Sequence, residues 1–284
     1  MIDLHSHSTA SDGSRAPESL VQLALETGLG ALALTDHDTL DGVDRALAAA
    51  RGTPLRLIPG VEIEIESAEG EFHLLGLGLE GDRSDLAEAL IRLQAARRDR
   101  NARMVARMQA AGIAITHEEL AAMAGGAIVS RAHFARLLVR KKVVSSIDAA
   151  FRRLIGKGSE FYEPRLCLGL REATDLIRCA GGVAVVAHPV TLGLKGPALR
   201  TSLQAFRDQG VAGIEAWHPN HTAKACRAFE KLARGLAMVV TGGSDYHGDH
   251  MPQRRLGLSV DGREIPDAFL ESLPSKESAE RRRP

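Results

Sequence analysis

Cysteines and aromatics are scarce in this chain, charge has no net sign, and apolar runs are short. Three cysteines, Cys167, Cys179 and Cys226, are scattered through 284 residues. They form no Cys-x-x-Cys pair, so neither a disulfide framework nor a thiolate zinc site is expected, and buried free thiols are. Aromatics make up only 4%, which argues against a base-stacking platform for single strands. Acidic and basic residues balance at 36 each. No global field therefore recruits nucleic acid or an anionic membrane, and any polyanion must be recognised locally. No apolar run approaches membrane-spanning length, and the N-terminus lacks a basic and then hydrophobic signal segment. A cytoplasmic chain with no membrane association and no obligate protein partner is expected.

Apolar residues supply 44% of the chain, enough for a sizeable core. Short apolar runs alternate with helical patterns, which points to a parallel α/β architecture. A strand at Ile2–Leu4 precedes a helix that opens at Pro17 and stops near Gly28. Ala31–Thr35 reads as a second strand, 42–50 as a helix, and Leu55–Ile63 as a third strand. A hairpin turning at Glu69-Gly70 carries Phe72-His73-Leu74-Leu75. From Ser84 the rhythm breaks into one long Arg-rich helix and further helical patches, with one candidate strand at Ile113-Ala114-Ile115. Strands resume at Val183–Ala187, Gly213–Trp217 and Ala237–Thr241, separated by helices. The expected organisation is a discontinuous barrel over 1–83 and 160–274, a helical insertion over 84–159, and a disordered tail over 275–284.

The histidines and acids fall at strand ends. Alternate residues of a strand point to one side, so His5 and His7 project together where the first strand stops. Asp36-His37-Asp38 follow the second strand and Glu62 ends the third. His73 sits in the hairpin, His188 follows Val183–Ala187, His218 follows Gly213–Trp217, and Asp245 and His247 follow Ala237–Thr241. In a β/α barrel these ends share one face, and imidazoles with carboxylates there are a metal-ligand set.

These segments also carry a resemblance. His5-x-His7, Thr35-Asp36-His37-Asp38, Gly60-Val61-Glu62, His73, Ala187-His188-Pro189 and Gly243-Ser244-Asp245-x-His247 resemble, in order, the motifs of the polymerase and histidinol phosphatase (PHP) family. The resemblance implies a distorted (β/α)7 barrel holding three divalent metals. It assigns His5, His7, Glu62 and Asp245 to one metal, and Glu62, His73 and His188 to a second, with Glu62 bridging. Asp12, His37 and His247 would hold the third. Some members place a histidine where this chain has Asp12. An aspartate is a harder ligand, so manganese is favoured, with zinc or iron as alternatives.

Two metals sharing Glu62 imply attack of activated water on phosphorus, with Asp12, His218 or His221 as candidates to assist the leaving oxygen. Substrate contacts are expected from Ser130, Arg131 and His133 at a helix start, and from His218 and His221 beside Trp217. Arg97, Arg98, Arg100 and Arg103 read as a solvated or salt-bridged helix face, and His117 and His250 as surface residues. The Ser-Arg-x-His segment and the His-Pro-x-His loop are similar to those of stand-alone family members that act as phosphatases on nucleoside 3′,5′-bisphosphates. That resemblance implies release of the 3′-phosphate from a small nucleotide. The alternative is 5′-to-3′ exonuclease action on short RNA or DNA oligonucleotides. A histidinol phosphatase, a non-catalytic metal-binding barrel and a metal-dependent amidohydrolase are weaker alternatives.

Overall fold

Helix and strand boundaries follow local chemistry closely in the computed structural model, which describes residues 1–67, 70–124, 128–271 and 273. Glu69 of the expected turn and the tail at 275–284 lie outside the described residues. The chain divides into two compact units, Met1–Ala89 with Cys167–Pro284, and Leu90–Leu166. These divisions fall later than the insertion boundaries read from the sequence.

In chain order the elements are β1 (Ile2–Asp3), α1 (Pro17–Thr27), β2 (Ala31–Leu34), α2 (Val43–Ala50), β3 (Arg56–Ser67) and β4 (Gly70–Leu77). Four helices follow: α3 (Ser84–Ala110), α4 (His117–Ala124), α5 (Arg131–Arg140) and α6 (Ile147–Ala150). The alternation then resumes through α7 (Leu170–Cys179), β5 (Val183–Val186), α8 (Gly196–Asp208), β6 (Gly213–Trp217), α9 (Ala223–Gly235), β7 (Val239–Gly242) and α10 (Ala268–Glu271). Pro17 opens α1 with its φ already set for helix, and Gly28 ends it at φ 76, donating its N–H to the Ala24 and Leu25 carbonyls. Thr222 caps α9 by accepting from the Ala225 N–H.

The seven strands form one sheet in the order β1-β2-β3-β4-β5-β6-β7. Every neighbouring pair is parallel except β3/β4 and β4/β5, so β4 alone runs against the rest. Backbone bonds from Leu4 N–H to Gly242 O (3.2 Å), Asp245 N–H to His5 O (2.9 Å) and His7 N–H to Tyr246 O (2.9 Å) join the first strand to the last. The result is a distorted seven-stranded barrel. β4 pairs with β5 only through Leu74–Leu77, while β3 and β4 pair over the whole of Gly60–Ser67. The hairpin therefore continues beyond the rest of the sheet. This corrects the reading of Glu62 as a strand end, because it lies inside a twelve-residue strand.

Phe72 on β4 stacks on Phe206 of α8 with ring centroids 4.8 Å apart, and both are buried. In the other unit Met104, Met108, Leu120, Phe134, Leu138, Ile155 and Phe161 belong to one core. Ile115 joins that core from an irregular segment, so the candidate strand at Ile113–Ile115 does not form. It has no partner strand among the described residues of this unit. On the face expected to be solvated or salt-bridged, Arg100 is not solvated: it is 1% exposed and donates to Asn101 Oδ1 at 2.7 and 3.2 Å. Arg103 does follow the expectation, meeting Glu163 at 3.3 Å. No helix among the described residues is long and apolar enough to cross a membrane.

Phe72→Ala removes one ring of a buried stack, so it should destabilise the barrel by about 3–5 kcal/mol. A urea-unfolding midpoint that barely moves would show that the stack contributes little.

Candidate metal centre

The barrel brings the expected ligands together because each follows a strand on the same rim. His5 and His7 follow β1, His37 follows β2, His188 follows β5, His218 follows β6, and Asp245 and His247 follow β7. Glu62 and His73 come from the facing strands of the hairpin, and a parallel bridge pairs Glu62 with His37. Asp12 lies in the loop after His7, where Ser11 and Gly13 donate their N–H groups to Ser8 O at 3.1 and 2.9 Å.

Glu62 is the hub. Its Oε2 lies 3.2 Å from each of His5 Nε2, His7 Nε2 and His37 Nδ1. Its Oε1 lies 2.8 Å from His73 Nδ1 and 3.0 Å from His188 Nε2. Asp245 Oδ1 lies 3.5 Å from His5 Nε2 and 3.1 Å from His7 Nε2, and those two nitrogens are 3.1 Å apart. Donor atoms about 2.1 Å from a shared cation stand roughly 3.0–3.4 Å from one another. The spacings given for His5, His7, Glu62 and Asp245 fall in that range, except His5 to Asp245 at 3.5 Å.

A second grouping gathers His7, Asp12, His37 and His247, and a third gathers His37, Glu62 and His73. His247 Nε2 is 3.2 Å from Asp12 Oδ1, and His37 Nε2 is 3.9 Å from Asp12 Oδ2. The sequence reading gave His7 to one metal alone. Here it also belongs to the Asp12 grouping, with a buried Nδ1 that has no hydrogen-bond partner and lies 3.7 Å from Asp12 Oδ1.

The donor set fits divalent cations. His5 Nδ1 meets Glu215 at 2.9 Å and donates to it, so the Nε2 lone pair faces the Glu62 and Asp245 carboxylates. His247 Nδ1 donates to the Asp245 carbonyl at 2.8 Å, so its Nε2 lone pair faces Asp12. A lone pair aimed at a carboxylate needs a proton or a cation between them. Without metal, protons serve. Burial opposes charge on His7, but hydrogen bonds to Asp245 and Glu62 raise it to about 10. Burial likewise opposes charge on His5, yet Glu215, Glu62 and Asp245 lift it well above the ordinary value. Burial works to raise the carboxylates, but the surrounding imidazoles hold Glu62 and Asp245 well below their usual range. His37 goes the other way: burial lowers it to about 4.

Four residues that the sequence reading did not assign support this centre. Glu215, fully buried on β6, accepts from His5 Nδ1 and, at 2.7 Å, from the His188 N–H. A lone carboxylate in the apolar run Gly213–Trp217 was the signal that could have found it. Asp3 accepts from the N–H groups of His5, Ser244 and Gly257 and from the Ser244 hydroxyl at 2.5–3.2 Å. Burial raises Asp3 to about 6 against those four bonds. Asp36 accepts from Ser8 N–H, Ser8 Oγ and Ser11 Oγ at 2.6–2.7 Å, fixing the Asp12 loop. Arg254 pairs with Asp245 from a loop without periodic pattern, so only the fold reveals it.

The remaining predicted residues are placed as follows. His218 Nδ1 accepts from the Asn220 N–H at 3.0 Å, so its Nε2–H points to Asp245 Oδ2 at 3.2 Å. His221 Nδ1 donates to Ala216 O at 2.9 Å, leaving a buried Nε2 lone pair without a hydrogen-bond partner. Burial lowers His221 to about 4. Asp12 is held ionised despite its burial by His37 and His247. In the other unit, Ser130 and His133 complete a capping box at the start of α5, with His133 Nδ1 accepting from the Ser130 N–H at 2.9 Å. Arg131 lies over the Tyr162 ring at 5.7 Å.

Metal uptake should release protons, so Mn²⁺ affinity should fall as pH drops from about 8 to 6. His7 sharpens this. Its raised value means the proton's contribution to metal-free stability is whole below pH 6.5 and lost as pH rises through about 10. Thermal denaturation of stripped and Mn²⁺-loaded protein should diverge as pH rises, and parallel curves would remove the centre. A Cβ on Gly243 would collide with His5 Cβ and reach Glu215 Oε1 at 2.9 Å. Gly243→Ala should therefore lower bound Mn²⁺ per chain.

Known proteins are similar to this chain over most of its length. The 5′-3′ exoribonuclease Rnm of Escherichia coli (strain K12) is 35% identical over 254 residues, covering 87% of this chain and 85% of its own. A 3′,5′-nucleoside bisphosphate phosphatase of Chromobacterium violaceum is 31% identical over 261 residues, covering 92% of each. A solved structure from Chromobacterium violaceum, described as an amidohydrolase with bound sulfate and no metal, aligns with a TM-score of 0.81 at 28% identity. It covers 98% of this chain and 99% of its own. Residues 3–168 match the PHP domain family, and the chain belongs to that family.

Proposed function

We propose that this PHP-family phosphoester hydrolase removes the 3′-phosphate of nucleoside 3′,5′-bisphosphates, giving a nucleoside 5′-monophosphate and phosphate. The observation that carries the reading is Glu62, whose two oxygens face two different sets of imidazoles. Such a shared carboxylate suits a cluster of divalent cations, with manganese favoured by the mixed imidazole and carboxylate donors. His5, His7, Glu62 and Asp245 would hold one; Glu62, His73 and His188 a second; and Asp12, His37 and His247 a third. When bound, such cations acidify water and neutralise charge on phosphoryl oxygens.

The chain's own part is orientation. Glu215 keeps His5 in the tautomer that presents Nε2, and Asp3 and Asp36 hold the loops carrying His5, Asp12 and Asp245. His221 offers an acceptor nitrogen suited to a sugar hydroxyl. Ser130 and Arg131 are retained as contacts for an anionic group of the substrate, Arg131 through its planar fork of N–H donors. The bisphosphate as substrate is supported by the relative of that name, which aligns over 92% of both chains.

The 35% identity to an exoribonuclease favours a second reading, action on short RNA. The two readings are chemically close. Release of a 5′-monophosphate from the 5′ end of RNA breaks the same P–O3′ bond, with the remaining chain esterified to the phosphate.

With Mn²⁺ added, phosphate release from a bisphosphate should exceed shortening of a 5′-phosphorylated ribo-oligonucleotide, both read by chromatography. The reverse preference would favour the exoribonuclease, and hydrolysis of neither would overturn both. Glu62→Ala should lower turnover by at least about 100-fold.

A further inference from the structure

Asp245 occupies an unusual position. Its backbone is left-handed, with φ 51, its N–H donates to His5 O at 2.9 Å, and its carbonyl accepts from His247 Nδ1 at 2.8 Å. A single guanidinium grips the same residue twice. Arg254 Nη1 donates to the Asp245 carbonyl at 2.8 Å and also pairs with Asp245 Oδ2. Arg254 Nη2 donates to Asn220 Oδ1 at 3.3 Å, the Asn220 N–H donates to His218 Nδ1 at 3.0 Å, and His218 Nε2–H returns to Asp245 Oδ2 at 3.2 Å.

We propose that Arg254, Asn220 and His218 form a closed positioning ring that presents Asp245 to the metal centre through Oδ1 alone. The proposal rests on Asp245 being a metal ligand. Both groups that reach Oδ2 are donors, whereas Oδ1 faces His5 Nε2 and His7 Nε2. A carboxylate bound through both oxygens would take two positions on one cation. With Oδ2 committed to Arg254 and His218, Asp245 takes one and leaves the other for water or substrate. The shape of the cation matters here. A planar guanidinium holds a carbonyl, a carboxylate and an amide oxygen at fixed angles, while an ammonium is a point charge.

Arg254 as a direct ligand of the substrate phosphate is the competing idea. Its burial, at 8% exposed, and its three oxygen partners from Asp245 and Asn220 argue against that. His218 is buried completely and has both nitrogens engaged, which makes it a positioning residue as well.

Stripped full-length protein is titrated with Mn²⁺ without substrate, so the readout is independent of whether the substrate is a bisphosphate or RNA. Arg254→Gln and His218→Gln should each weaken Mn²⁺ binding by about 10–100-fold. Because the two residues belong to one network, the double variant should lose no more than about threefold beyond the weaker single. Arg254→Lys should restore less than half of the lost affinity on a logarithmic scale. For whichever phosphoester the wild type turns over, kcat should fall while KM stays within about twofold. Wild-type Mn²⁺ affinity in either single variant overturns the ring, as do independent losses that multiply in the double. Full rescue by Lys also overturns it, since charge alone would then suffice. A raised KM with unchanged Mn²⁺ affinity would make Arg254 a substrate contact instead. Should Arg254→Gln not fold, the His218→Gln titration decides alone.

Discussion

Everything at this rim is arranged around one buried carboxylate. Glu62 is 1% exposed and five imidazole nitrogens lie within 3.2 Å of its two oxygens. An ionised carboxylate cannot stay so deep in a protein without compensating positive charge. The chain supplies that charge in either of two forms, protons on the histidines or cations between them. The ordinary pairing rules then explain the strong perturbations around it: carboxylates held low, His5 and His7 held high, and His37 pushed down. Phosphoester chemistry is a natural use of such a centre, because the positive charge concentrated there is what a phosphoryl group requires.

A second layer of acids keeps the first from relaxing. Asp3, Asp36 and Glu215 are buried, and their hydrogen bonds run to backbone N–H groups, serine hydroxyls and His5. Each ties a ligand-bearing loop to a strand. Asp3 joins the end of β1 to the turn after β7, and Asp36 joins the end of β2 to the loop of Asp12. The positive φ values of His188 and Asp245 show why such ties are useful, since backbone of this kind costs energy unless neighbouring contacts hold it.

The clustering of these acids and histidines was legible in the sequence because period-two strands and a barrel rim convert chain position into spatial proximity. His5, His7, His37, His188, Asp245 and His247 all follow that rule. Glu62 obeyed a different one: the extension of β3 into the hairpin with β4 was hidden, since its alternating Glu62-Ile63-Glu64-Ile65 looks like a strand that has already left the core. Asp3 and Glu215 left only a weak trace, one acid in each apolar strand. Arg254 left none, because a cation in an aperiodic loop can face solvent or the interior with equal ease. Arg100 shows the converse failure. Its neighbours Arg97, Arg98 and Arg103 suggested a uniform charged face, but the helix turns this one side chain inward, where Asn101 receives it. The chemistry of Ser130 and His133 was ambiguous from the start, as a capping box and an anion contact use the same residue types.

The hairpin also sets Glu62 apart from the other acids and histidines of the rim. Glu62 is held in a continuous strand with backbone partners on both sides, bonded to Asp36 O through its N–H and to the Asp38 N–H through its carbonyl. Asp12, His188, Asp245 and His247 lie outside the regular strands, in the segments that follow β1, β5 and β7. The sheet itself thus sets the position of Glu62, whereas theirs depends on side-chain contacts such as those of Asp3, Asp36 and Arg254.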